Sequence, residues 1–201
     1  MEDSDIDLPL DNAVFSAPGE ACACDRSGDC CYNHSILLTH YDVHRILERL
    51  PQLDIRDLVV LFTSYIGYVD LDVLAGYPAI MLENEPCYLG LRFVIDEATG
   101  QRRCRFLDVS NGLCTIHDFK PMICRTYPFI IDHGKITRLE KIRCKKPYHP
   151  FDPAAIKELR ATLHRAYLEF EEYKAKIGSW NETGDTDSLD AFFEELNSTK
   201  G

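Results

Sequence analysis

Nine cysteines stand in a chain of 201 residues, and their placement constrains the fold more than any other feature. Cys22-Ala23-Cys24 and Cys30-Cys31 open the chain, Cys104, Cys114, Cys124 and Cys144 are spread through its middle, and Cys87 stands apart in Glu85-Pro86-Cys87-Tyr88. More than 70 residues separate the two groups. A site that draws on both has to be assembled by the fold, because no single loop spans them.

The compartment decides how such thiols are read. The N-terminus, Met1-Glu2-Asp3-Ser4-Asp5, is acidic where a secretory leader is basic and then apolar. No apolar run approaches the length of a membrane-spanning helix. The expected location is the cytoplasm, where clustered cysteines hold a metal or an iron-sulfur cluster more often than they form disulfides. The net charge of -11 argues against a nucleic-acid partner. That charge is uneven: Gln101 to Lys146 carries eleven Lys or Arg against four acidic residues. A positive segment around the second cysteine group is expected to favour thiolates there.

An apolar fraction of 45% is that of a chain with a real core. Residues 1–21 read as an acidic irregular arm, 22–150 as the cysteine domain and 151–201 as a C-terminal helical extension. The Cys22 to Cys31 segment, with Asp25, Ser27, Gly28 and Asp29, reads as a tight loop. Thr39 and Asp42 form a capping-box pattern, followed at helical spacing by Val43, Ile46, Leu47 and Leu50. Asp54 caps a second predicted helix with Leu58, Val59 and Phe62 inward, ending near Gly67. His40 and His44, four apart, have the spacing of a two-histidine metal pair, although an exposed helix surface explains them as well.

Two hairpins are predicted, Phe93–Ile95 with Arg102–Phe106 and Phe129–Ile131 with Ile136–Arg138. Between them Cys114 to Cys124 holds a short helical turn. Between Tyr68 and Tyr88 the pattern is weak and is broken by Pro78 and Pro86. From Pro153, the residues Ile156, Leu159, Leu163, Ala166, Tyr167, Phe170, Tyr173 and Ile177 make an apolar stripe, with Gly178 as the expected stop. Ser188 to Leu196 makes a last helix with Leu189, Phe192, Phe193 and Leu196 on one face. The fold class is α+β, a small cysteine-rich antiparallel sheet with loops, wrapped by helices.

Thiolates in this number suit a soft centre, either tetrahedral zinc or iron in a cluster. Adjacent side chains point apart, so Cys30 and Cys31 are expected to divide their roles, one ligating and one packing, or to serve different metals. Neither the paired CxxC of a zinc finger nor a ferredoxin run is present. However, Cys24, Cys30-Cys31, Cys104-Arg-Phe-Leu107, Cys114-Thr-Ile-His117 and Lys120-Pro-Met-Ile-Cys124-Arg-Thr-Tyr-Pro-Phe129 together resemble the YkgJ-like cysteine-cluster family. The resemblance runs from about Cys22 to Cys144 and leaves out the helical tail.

That family is described as chelating zinc or iron, and its members are often described as iron-sulfur oxidoreductases. The resemblance implies a thiolate-ligated iron-sulfur centre, of the 4Fe-4S type, with zinc as the alternative. Its ligands would come from Cys22, Cys24, Cys30, Cys31, Cys104, Cys114, Cys124 and Cys144. The opening Cys22-x-Cys24 departs from the family's regular run and leaves open which of the two ligates. Arg125 would neutralise ligand charge or hold an anionic substrate. Tyr127 and Phe129 would shield the centre, and His117 would be an extra ligand or a hydrogen-bond donor. Cys87 reads as a buried thiol.

The expected function is redox or accessory to an enzyme. The alternatives are a structural zinc interaction module and an accessory metal domain of a protein-modifying system, with the C-terminal helices as a protein-partner surface. No catalytic constellation and no Walker or Rossmann glycine pattern is present.

Overall fold

The computed structural model describes residues 28–32, 34–63, 76–97, 99–132, 135–138 and 153–198. The expected arm over 1–21, and Cys22, Cys24 and Cys144, lie outside them. A single 3-10 turn, Asp29–Cys31, leads to helix α1, His40–Arg49. The capping box predicted for it is present: Thr39 Oγ1 accepts from the Asp42 amide and Asp42 accepts from the Thr39 amide. Val43 and Ile46 are its fully buried positions.

The second helix differs from the expectation. Helix α2 is only Ile55–Leu58, and the chain turns at once into strand β1, Val59–Thr63. Val59, Val60, Leu61 and Phe62 satisfy both a helical and an extended apolar pattern. Long-range pairing settles it, because β1 pairs antiparallel with β3, from Val59 opposite Leu91 to Thr63 opposite Cys87. β-Branched side chains fit that pleat better than a helix.

The weakly patterned stretch also holds strands. β2, Ile80–Leu82, and β3, Glu85–Leu91, form a hairpin. Its loop is Glu83-Asn84, both at positive φ (49° and 64°), the backbone that a two-residue hairpin turn requires. The sheet order is β1-β3-β2. Gly90 is fixed by close approach: a Cβ there would sit 1.9 Å from Phe62 Cε2.

Strands β4, Phe93–Ile95, and β5, Arg102–Cys104, form the first predicted hairpin. A small ladder, β6 Leu107–Asp108 with β7 Leu113–Cys114, follows. A 3-10 turn at His117–Phe119 and helix α3, Met122–Thr126, supply the predicted turn. β8, Phe129–Asp132, and β9, Lys135–Arg138, form the second hairpin.

Helix α4 spans Pro153–Thr183 and α5 spans Leu189–Ser198. Gly178 does not stop α4. Tyr173, Ile177 and Trp180 are buried at helical spacing, and their burial outweighs the roughly 1 kcal/mol that a helical glycine costs. Of the predicted stripes, Tyr167 and Leu189 face outward, at 43% and 44% exposed. One apolar cluster joins Leu38, Val43, Ile46, Leu58, Ile80 and Leu89 to Tyr173, Ile177, Trp180, Phe192 and Leu196. The architecture is thus α+β, small antiparallel sheets and loops wrapped by helices, with a C-terminal helical extension packed on them. No helix of the described residues is long and apolar enough to cross a membrane.

Candidate functional site

Gly28 starts the first cysteine turn at φ 72°, and its carbonyl accepts from the Cys31 amide at 2.8 Å. A Cβ at Gly28 would meet the Gly112 carbonyl oxygen at 2.8 Å and Leu107 Cδ1 at 2.9 Å. The turn therefore lies directly on the β6–β7 ladder, with no room for a side chain between them. Tyr32 then forms an antiparallel bridge with Arg103. Cys31, the last residue of the 3-10 turn, and Cys104, the last residue of β5, adjoin that bridge. Leu107 pairs with Cys114 in the β6–β7 ladder.

These contacts bring the distant thiols together. Cys31 lies within electrostatic reach of both Cys30 and Cys104. Cys31 also lies within electrostatic reach of Cys114, and Cys124 within reach of Cys30 and Cys31. The six described cysteines are all reduced thiols. Cys104 is buried, while Cys30, Cys31, Cys114 and Cys124 are partly exposed.

The expected thiolates are not favoured. The Cys104 hydrogen bond, with burial, pushes the Cys31 thiol up to about 12. Cys30 is raised further, through its hydrogen bond with Cys31 and then through burial. Burial also raises Cys114 and holds Cys124 well above the ordinary thiol range. Lys120 acts in the opposite direction on Cys30, Cys114 and Cys124. One cation across partly solvated space is outweighed by lost hydration and neighbouring sulfur.

Residues 23–147 match the CxxCxxCC family, described as "Putative zinc- or iron-chelating domain". The chain belongs to this family. The match takes in Cys24 and leaves out Cys22. No curated protein and no solved structure matches the chain.

Membership in the CxxCxxCC family does not carry the expected metal centre with it. Among the described residues, no three His, Cys, Asp or Glu side chains are grouped so as to hold a metal ion. This overturns the expected 4Fe-4S centre and its zinc and iron alternatives. The redox-cluster function, the structural zinc module and the accessory metal domain fall with them.

The other candidate residues are placed by the packing around them. Arg125 donates from Nε to the Lys120 carbonyl at 3.0 Å and from Nη2 to the Asp118 carbonyl at 2.5 Å, so it braces the turn. His117 stands on the 3-10 turn, 3.4 Å from Lys120 Nζ and 3.6 Å from Asp118 Oδ1. Tyr127 is half-buried with its ring edge-on to His34, and Phe129 is buried. Cys87 is a buried thiol donating to the Ile80 carbonyl at 3.3 Å. His40 is not on an exposed surface. It is buried against Tyr41 and Tyr173, and burial lowers it to about 4. His44 Nε2 is 2.6 Å from the Leu196 carbonyl oxygen.

Asp42 does more than cap a helix. Its Oδ1 also accepts from the Met122 amide at 2.7 Å, at the start of the turn that carries Cys124. Nothing local signals this contact, which spans 80 positions.

Proposed function

We propose that the protein works through its thiols, as a two-electron dithiol–disulfide couple centred on Cys31 and Cys104. The observation that supports this is the Tyr32–Arg103 bridge, which brings their chain neighbours Cys31 and Cys104 within electrostatic reach of one another. Cys114 and Cys124 complete the group, and Cys22, Cys24 and Cys144 are further candidates for it.

The oxidant is a small-molecule disulfide. Cys104 loses its proton and attacks one sulfur of that disulfide, and the first small thiolate leaves and takes the proton. Cys31 then loses its proton and attacks the Cys104 sulfur of the mixed disulfide. The second small thiolate departs and is protonated. Two protein thiols become one disulfide and one small disulfide becomes two thiols, so electrons and protons balance. Cys30, next to Cys31, acts to lower the Cys31 thiol and so stabilises the charge that Cys31 carries during its attack.

A reducing compartment keeps the couple in its thiol form, which supports a cytoplasmic location. The proposed division is an arm over 1–21, a thiol domain over 22–150 and a helical extension over 151–201. A second reading, a protein partner on the C-terminal helices, draws on adjacent Tyr167 and Leu168, 43% and 46% exposed on the outer side of α4.

Equilibration with glutathione disulfide followed by peptide mapping tests the couple. The expected product is a Cys31–Cys104 cross-linked peptide, with a pair of thiols lost and restored by dithiothreitol. Failure to form an intramolecular disulfide, or undiminished formation of one in Cys104→Ser, would overturn the proposal.

A further inference from the structure

We infer that helix α4 holds the Cys124 turn in place through a relay, Glu169 to Arg45 to Asp42, so that these three are positioning residues for the thiol group. The inference rests on the reading of the thiols as the working site, and it places a control on them outside the matched family span of 23–147.

The relay starts from an unmet need of the chain. The first amides of any helix lack partners within it, and α3 has no side-chain cap of its own. Asp42, across from it on α1, takes that part by accepting from the Met122 amide at 2.7 Å. The same Asp42 oxygen accepts from Arg45 Nη1 at 2.7 Å, while the other accepts from the Thr39 amide and hydroxyl at 3.1 and 3.2 Å. With a side chain only 2% exposed, Asp42 has to keep these partners or carry an uncompensated buried charge.

Arg45 passes the constraint on. Its Nη2 donates to both carboxylate oxygens of Glu169, at 2.7 and 2.8 Å. Glu169 sits mid-way along α4, and α3 packs against the same helix. The Cys124 turn is therefore held by α4 directly and again through α1. Cys124 N donates to Pro121 at 2.9 Å, so a turn that loosens at Met122 carries the sulfur with it. A shift of α4 relaxes Arg45, frees Asp42 from its fixed orientation and opens Cys124 to reagents.

A second contact on the α1–α4 seam provides the control. Tyr41 donates to Glu172, one helical turn from Glu169, and this pair does not reach Asp42.

The test measures alkylation rates by N-ethylmaleimide on the reduced full-length protein, resolved by peptide mass spectrometry. Cys87, buried in the sheet, is the internal reference. Glu169→Ala is expected to speed Cys124 roughly tenfold, the low end for losing the charge-assisted hydrogen bonds that Glu169 accepts from Arg45, with Glu169→Gln in between. Glu172→Ala and the Cys87 rate are expected to stay at wild-type values. An unchanged Cys124 rate in Glu169→Ala, an equal rise in Glu172→Ala, or a parallel rise at Cys87 would each overturn the relay. Because the readout needs no disulfide, loss of the Cys31–Cys104 couple and loss of the relay give different results.

Discussion

At the residue scale the decisive property is where the thiol protons sit. Cys31 is raised from 9.0 to about 12, led by its Cys104 hydrogen bond, and Cys87 from 9.0 to about 11 by burial. At alkaline pH the folded chain thus binds more protons than the unfolded one. The stability these thiols contribute is complete below 9.0 and is lost as pH rises through 11 and then 12. Urea midpoints are expected to fall on going from neutral pH to about pH 11, and Cys87→Ala should flatten the first part of that fall. The same protonation makes the proposed exchange slow near neutrality and faster with each step upward in pH. The positive charge around the second cysteine group was visible in the sequence. That burial would outweigh it was not, because desolvation depends on neighbours brought in from the rest of the chain.

At the element scale, structure was legible wherever its signal is local. Thr39 with Asp42, the hairpin turning at Gly100 and the hairpin from Phe129 each carry their instructions within about a dozen residues. Val59 to Thr63 does not, since its apolar residues fit two periods and only the β3 partner chooses between them. The β2–β3 hairpin was hidden for another reason. Its turn is Glu83-Asn84 rather than a glycine pair, and Pro86 lies inside the strand. Gly90 shows how closely this sheet is fitted, with Phe62 lying over the place of its missing Cβ. Gly90→Ala is expected to cost about 2–3 kcal/mol, read as a lower urea midpoint with an unchanged slope. A wild-type midpoint would mean that Phe62 moves aside at no cost.

At the scale of the whole molecule, the C-terminal extension is part of the structure that it wraps. Leu159, Leu163, Tyr173, Ile177, Trp180, Phe192 and Leu196 are buried, and five of them, from Tyr173 on, belong to the cluster that holds Leu38, Val43 and Ile80. Fully burying such side chains contributes about 1.5–3 kcal/mol each, against a total stability of about 5–15 kcal/mol. Truncation after residue 152 is therefore expected to abolish cooperative unfolding, followed by circular dichroism during thermal denaturation. A truncated chain that melts in one sharp transition would show that residues 22–150 fold alone.

The sequence by itself determined the family, the α+β class and the local turns and caps. Those follow from residue type and short spacing. The tertiary structure alone decided what the thiols are to one another. The Tyr32–Arg103 bridge and the Gly28–Gly112 contact join segments more than 70 residues apart, and they bring the sulfurs within electrostatic reach of one another. Spacing along a sequence counts potential ligands, whereas a metal site needs their directions to converge, and direction is fixed only when distant strands pack.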